Sequence, residues 1–330
     1  MATTEAEWYS SAQKAYWKFQ ITYETRENGF RITDIKGLHT KYENYGHSCH
    51  IKILINNVEV DDFTSGEHFG LNEWVGGWDN WSSAWRTVTT KNAQVTFKIV
   101  SQTISDNGPP AGTNFNFNSV AMPKYSITFN ANSGTIPSGT TNPASVAPTD
   151  SCSTPSVTRT GLTKTLNINS NEGSIISGGN TRTSTANYTA NGWYTTSSGG
   201  SKRCNNGGSY TPSQSETIYQ HWTLGNYNDV NLPTTSQCTR ENYTLLGFSK
   251  SQTATTATYS PGADFSMQNE NDGLILYAVW KRNQSVTKIK TSANTWSDGL
   301  VWVKDSNGTW QRVLHTYIKT VDGWKESNIS

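Results

Sequence analysis

The chain has 330 residues and a formal net charge of +1, with 26 Lys and Arg against 25 Asp and Glu. This balance provides no long-range field for nucleic acid or an acidic membrane surface, and no apolar run reaches the roughly 18 residues of a membrane-spanning helix. Only 15% of residues are charged, against about 25% in an average globular chain, yet 13 Trp, 15 Tyr and 10 Phe need burial or a partner, which excludes a disordered chain.

Thr, Tyr, Trp and Val favour strands, and 27 Gly with 10 Pro supply turns. The expectation is therefore an all-β fold. The opening "MATTEAEWYSSAQKAYW" has neither a basic nor an apolar region, so no signal peptide is expected. "YWKFQITYE" places Trp17, Phe19, Ile21 and Tyr23 on one face and Lys18, Gln20, Thr22 and Glu24 on the other. "HIKILINNVEV" alternates Ile51, Ile53 and Ile55 before a turn at Asn56-Asn57, and "AQVTFKIV" alternates Val95, Phe97 and Ile99. Such half-buried strands predict an antiparallel β-sandwich, jelly-roll-like, over residues 1–122. "SDNGPPAGTN" reads as a loop.

Two local features of this region bear on chemistry. "GHSCH" holds His47, Cys49 and His50, with His68 downstream. Four such ligands could surround a zinc ion, but on an extended segment His50 faces away from His47 and Cys49, so no metal site and no cofactor are expected. "NEWVGGWDNWSSAW" carries Trp74, Trp78, Trp81 and Trp85 with no strand or helix period. Exposed rings beside Glu73, Asp79 and Asn80 would suit sugars, whose apolar faces stack while hydroxyls hydrogen-bond. The competing reading puts two or more of the rings in the core. The expectation is that at least one of the four is exposed and contacts a glycan or a neighbouring subunit, with Asp79 and Asn80 as polar partners.

Repeats begin at Lys124. "ITFNANSGTI" returns as "KTLNINSNEGSI", and "YTANGWYTTSSGGSKRC" returns as "YTLLGFSKSQTATTATY". Gly192-Trp193 thus matches Gly247-Phe248, and Tyr219-x-x-Trp222 matches Tyr277-x-x-Trp280. A glycine followed by a large ring fits a strand whose ring packs inward beside a backbone position that must stay small. Trp193, Phe248, Trp222 and Trp280 are expected in the cores. The copies are irregular: the first lacks the Gly-Trp step and the third lacks the opening strand. The four cysteines, Cys49, Cys152, Cys204 and Cys238, form no C-x-x-C pair and predict no obligatory disulfide framework.

These motifs, over Lys124 to Lys281, resemble the InlB B-type repeat, also called the Listeria–Bacteroides repeat. The resemblance implies small β-grasp-like modules serving as spacers or adhesive elements, here expected at 123–222 and 223–281. A C-terminal module, 282–330, duplicates itself: "VWVKDSNGTWQR" matches "TYIKTVDGWKE". Asn-Gly and Asp-Gly between alternating strands predict hairpins, with Trp310 and Trp324 packing across from Trp302 and Tyr317. This segment resembles Trp-hairpin tails of structural proteins from phages of Gram-positive hosts, and the N-terminal region loosely resembles β-sandwich segments of the same proteins.

No nucleophile elbow, H-E-x-x-H or Walker loop is present, and Asp61-Asp62 point to opposite faces of a strand. The resemblances imply a non-enzymatic virion protein, synthesised in the host cytoplasm and displayed on the particle exterior. Its expected partners are other virion proteins and host cell-wall glycan, with a homo-oligomer as a further expectation and neither nucleic acid nor membrane. The alternatives are a capsid decoration or head-fibre protein, and a bacterial surface adhesin without its signal and anchor. A virion glycan hydrolase ranks third.

Overall fold

A computed structural model describes residues 1–11, 15–40, 49–65, 70–76, 78, 81–102 and 108–283. In the tail it describes 287–292, 295–299, 302–304, 307–312, 317–320 and 323–326. The described residues are all-β, without a helix. They divide into two compact units, one of residues 1–160 with 188–223 and one of 161–187 with 224–330.

The first unit opens with β1 (Ala2–Ser10), β2 (Ala15–Arg26) and β3 (Gly29–His39), paired antiparallel in chain order. The chain crosses to β4 (Cys49–Ile55) and β5 (Val58–Thr64), then returns to flank β3 with β6 (Gly70–Leu71) and β7 (Arg86–Thr87). After β8 (Asn92–Ala93), β9 (Val95–Gln102) and β10 (Asn114–Asn116) complete a second sheet of order β10-β9-β4-β5. β11 (Val120–Ala121) pairs with β8. The alternation in β2 and β4 does what the sequence requires. Trp17, Phe19 and Ile21 from one sheet, and Ile51, Ile53, Phe97 and Ile99 from the other, are buried in a single core. Phe19 makes edge-on contacts with Phe97 and Phe115 at 5.4 and 4.8 Å. The region is thus a sandwich, but the strand order corrects the jelly-roll expectation. Successive strands of a jelly roll alternate between sheets, whereas the tight turn at Glu27-Asn28 keeps β2 and β3 adjacent in one.

The repeat region continues with β12 (Tyr125–Asn130), β13 (Ala144–Val146) and β14 (Cys152–Ser153). Next come β15 (Leu162–Asn169), β16 (Ser174–Ile175) and β17 (Thr181–Ala186). β18 (Tyr188–Tyr194), β19 (Lys202–Cys204), β20 (Ser209–Tyr210) and β21 (Glu216–Leu224) follow. β22 (Val230–Asn231), β23 (Cys238–Thr239), β24 (Tyr243–Ser249), β25 (Asp264–Phe265) and β26 (Leu274–Arg282) finish it.

These strands do not fold in sequence order. β12 lies parallel to β21 in a sheet of order β13-β12-β21-β18-β19. β15 lies parallel to β26 in a sheet of order β17-β15-β26-β24. The opening strand of the second repeat therefore skips its own Gly-Trp segment and completes the third. The modules are interleaved, the first from 124–160 and 188–223, the second from 161–187 and 224–282. This replaces the sequential division at 123–222 and 223–281. It also explains the irregular copies: each module assembles one opening strand and one Gly-aromatic segment from different stretches of chain.

The two modules repeat each other in atomic detail. After β12, Asn132 and Ser133 have φ of 48° and 70°, and after β15, Asn171 and Glu172 have 46° and 70°. With Gly134 N–H bonded to Ala131 O and Gly173 N–H to Ser170 O, both at 3.0 Å, these are type I′ turns. The Trp222 indole N–H donates to Ala131 O at 2.9 Å, and that of Trp280 to Ser170 O at 2.8 Å. A Cβ on Gly134 or Gly173 would lie 2.4 or 2.5 Å from the corresponding ring, which is why each turn ends in glycine. Arg159 stacks on Tyr188 and Arg240 on Tyr243, at 3.9 and 3.8 Å from the ring centres.

Among its described residues the tail contains three two-stranded hairpins. β27 (Thr287–Ser292) pairs with β28 (Thr295–Gly299), β29 (Trp302–Lys304) with β30 (Trp310–Arg312), and β31 (Tyr317–Thr320) with β32 (Gly323–Glu326). Lys304 opposes Trp310 just as Lys319 opposes Trp324, so the sequence duplication is a duplicated hairpin.

Candidate functional site

The tryptophan segment does not form one platform. Trp78 is buried, only 7% exposed, stacked on Phe63 at 6.0 Å and edge-on to Phe19 at 5.9 Å. It is core, which removes it from the set of exposed candidates. Trp81 is half-buried, packs on the sandwich core and donates its indole N–H to Trp78 O at 2.9 Å. Trp74 is half-buried on a strap held to β3 by paired Gly37–Val75 backbone bonds of 2.9 and 3.0 Å. Trp85 is half-buried beneath two guanidinium groups, Arg26 at 4.3 Å and Arg31 at 4.8 Å from the ring centre. Asp61 fixes the end of the segment, accepting from Ser82 N at 2.8 Å and from Arg86 at 3.0 Å. Asp79 and Asn80 lie outside the described residues, as do His47 and His68. Cys49 is buried, and desolvation pushes its thiol up to about 11. His50 sits 2.9 Å from Asp62 on the exposed side of the β4–β5 pair.

The arrangement that does present rings to solvent is elsewhere, on the outer face of β1, β2 and β3. Alternation sends Thr4, Ala6 and Trp17 inward and leaves their neighbours outside. The outward cross-strand pairs of β1 and β2 are Tyr9–Tyr16, Glu7–Lys18, Glu5–Gln20 and Thr3–Thr22. Tyr9 and Tyr16 are 46% and 39% exposed, and their ring centres are 4.7 Å apart at 44°. Lys18 lies 5.4 Å from the Tyr16 ring centre and pairs with Glu7 at 2.9 Å, and the Glu7 hydrogen bond raises the Lys18 pKa. Gln20 donates to Glu5 at 2.9 Å. β3 extends the rows with Lys36 beside Gln20 and Asp34 beside Thr22. The face thus offers an aromatic pair at one end of a ladder of amide, carboxylate and ammonium groups, with charges locally matched. Chemically it can stack on an apolar ring face and exchange hydrogen bonds with hydroxyls while presenting little net field.

Sequence reasoning missed Tyr9 and Tyr16. The signal was present: Tyr16 stands one position before Trp17, in phase with Lys18, Gln20 and Thr22, so it is an aromatic residue on a strand's polar face.

The modules hold other polar features. A cleft of about 600 Å³ lies in the second module and is lined by Asn167, Asn169, Asn180 and Ile275. In the first, Tyr210 donates its hydroxyl to Glu216, which also pairs with Arg203 at 3.0 Å. Burial, with the Glu216 bond adding to it, raises the Tyr210 pKa. Cys152 and Cys204 pack on this same core, and burial raises both thiols. Among the described residues, no three His, Cys, Asp or Glu side chains converge as metal ligands. Comparison with family models, curated proteins and solved structures found no match to this chain.

Proposed function

We propose that this chain is a non-enzymatic protein on the exterior of a phage or phage-like virion, binding sugars of the host surface through the outer face of β1, β2 and β3. The observation that carries the binding part is the exposed Tyr9–Tyr16 pair at the head of a charge-matched polar ladder. Rings left in water on a strand face mark contact surfaces, and aromatic rings edged by hydrogen-bonding groups match the amphipathic chemistry of a sugar. The virion part is supported by the resemblance of residues 124–281 to an adhesive repeat family and of 301–326 to phage Trp-hairpin tails. The modules then act as spacers. A second reading, a decoration or head-fibre protein held by subunit contacts, is favoured by Trp310, which is 61% exposed on a tail hairpin.

Electron cryomicroscopy of particles released from a lysed host tests the location. The chain is expected on the particle surface, and an antibody fragment directed at Tyr9 and Tyr16 is expected to block adsorption. Absence from the particle, or adsorption unaffected by the bound fragment, would refute this reading.

A further inference from the structure

We infer a second binding site at the end of the β2–β3 hairpin, where Arg26 takes the oxyanion of an acidic sugar or polyol polymer. A cleft of about 460 Å³ lies there, lined by Tyr23, Glu24, Thr25, Arg26 and Trp85 with Met1 and Ala2 of the start of β1 along one side. This site goes beyond the reading above and stands without it, because it uses other residues and a different ligand chemistry.

Arg26 is held ready. Its cross-strand partner is Gly29, and a Cβ there would lie 2.8 Å from Arg26 Cγ, 2.9 Å from its Nε and 3.1 Å from the Trp85 ring. The bare glycine lets the arginine fold across the hairpin onto the indole, where its guanidinium sits 4.3 Å from the ring centre. A stacked guanidinium has lost much of its rotamer freedom while its in-plane N–H groups still face outward.

The carboxylates nearest in the chain, Glu24 on the cleft wall among them, are committed to other partners. Glu24 binds Arg31 through Nε at 2.9 Å and Nη2 at 2.6 Å. Glu27 accepts from the Ser215 backbone at 2.7 Å and hydroxyl at 2.5 Å. Among the described residues, none forms an ion pair with Arg26. With Glu24 neutralised by Arg31, the cleft keeps the planar fork of Arg26 without a paired carboxylate, beside the rings of Tyr23 and Trp85. That combination selects a carboxylate or phosphodiester oxyanion attached to a sugar or polyol. A neutral glycan would leave the fork without a matching charge.

The test is titration calorimetry of the full chain with a galacturonate oligosaccharide, a glycerol phosphate polymer and a neutral wall oligosaccharide. At least one anionic probe is expected to bind, and to weaken as salt rises. Which of the two binds identifies uronate or phosphodiester as the source of the oxyanion. Arg26→Gln is expected to weaken that binding at least tenfold. Arg26→Lys, which keeps the charge but loses the fork, and Gly29→Ala, which displaces the arginine, should each fall between. Neutral-sugar binding should be unchanged in all three, which separates failure of this site from failure of the Tyr9–Tyr16 face. Equal anion affinity for wild type and Arg26→Gln would overturn the inference, as would no binding of either anionic probe at millimolar concentration. Arg26 would then be a stacking partner only.

Discussion

Trp193 and Phe248 occupy equivalent places in the two modules, and both are fully buried. Trp193 packs edge-on to Phe129 at 5.4 Å, and its indole nitrogen has no hydrogen-bond partner among the described residues. Replacing Trp193 by Ala should cost about 3–5 kcal/mol of stability. Trp193→Phe should cost at most about 2 kcal/mol, because Phe already serves at the matching position and the change removes an unpaired buried N–H. Urea denaturation measures both. Equal losses would mean that the site reads the indole N–H and not ring volume. Cys49 gives a pH prediction. Its thiol ionises at about 11 when folded, above the ordinary 9.0. The unfolded chain therefore loses this proton first as pH rises, and the stability tied to it is full below pH 9.0 and declines from there toward about 11. Cys49→Ala should flatten the high-pH slope of the urea midpoint, whatever it costs at neutral pH. An unchanged slope would contradict the burial argument. The buried rings of the modules were legible because the repeat states each position twice. Trp78 was not, since its neighbours Phe19 and Phe63 are distant in sequence and its own segment has no period to place it.

At the scale of the element, the type I′ turns and the Gly-aromatic steps account for most of what recurs. Gly192 and Gly247 have φ of 118° and 142°, and a Cβ would meet the Cys204 or Tyr259 carbonyl at 2.4 or 2.1 Å. Each glycine thus admits the neighbouring strand while the ring after it turns into the core. The turns carry a strain that the sequence has not removed. Ser133 holds φ of 70°, a conformation that suits glycine. Ser133→Gly should stabilise the first module by about 0.5–1 kcal/mol. Gly134→Ala should destabilise it by about 1–3 kcal/mol, because the added methyl meets the Trp222 ring. Thermal melts of the two variants should move in opposite directions, and movement the same way would refute the turn assignment. Strands, turns and glycine steps could all be read from local pattern. Their pairing could not. Parallel partners such as β12 and β21 meet through a long connection, and nothing in "ITFNANSGTI" or "KTLNINSNEGSI" marks which later strand each will join. The four cysteines share this limit: no local pattern brings any two of them together, whereas folding packs Cys152 beside the same core as Cys204.

For the molecule as a whole, interleaving means that the chain passes between its two units at 160–161, 187–188 and 223–224. A chain ending at residue 224 keeps every strand of the first module but removes β26, the parallel partner of β15. Residues 161–187 should then lose amide protection in hydrogen exchange while β12, β18 and β21 keep theirs. Protection of all these segments would restore a sequential module at 123–222. The account as a whole rests on the open face of the sandwich. Titration of the purified chain with neutral oligosaccharides from the host wall is its most direct test, run beside the Tyr9→Ala/Tyr16→Ala variant. Both rings are exposed, so the variant should fold and melt as the wild type does. The account predicts saturable binding by the wild type and at least a tenfold loss in the variant, about 1.4 kcal/mol. Equal binding by both proteins, or none by the wild type, would contradict it.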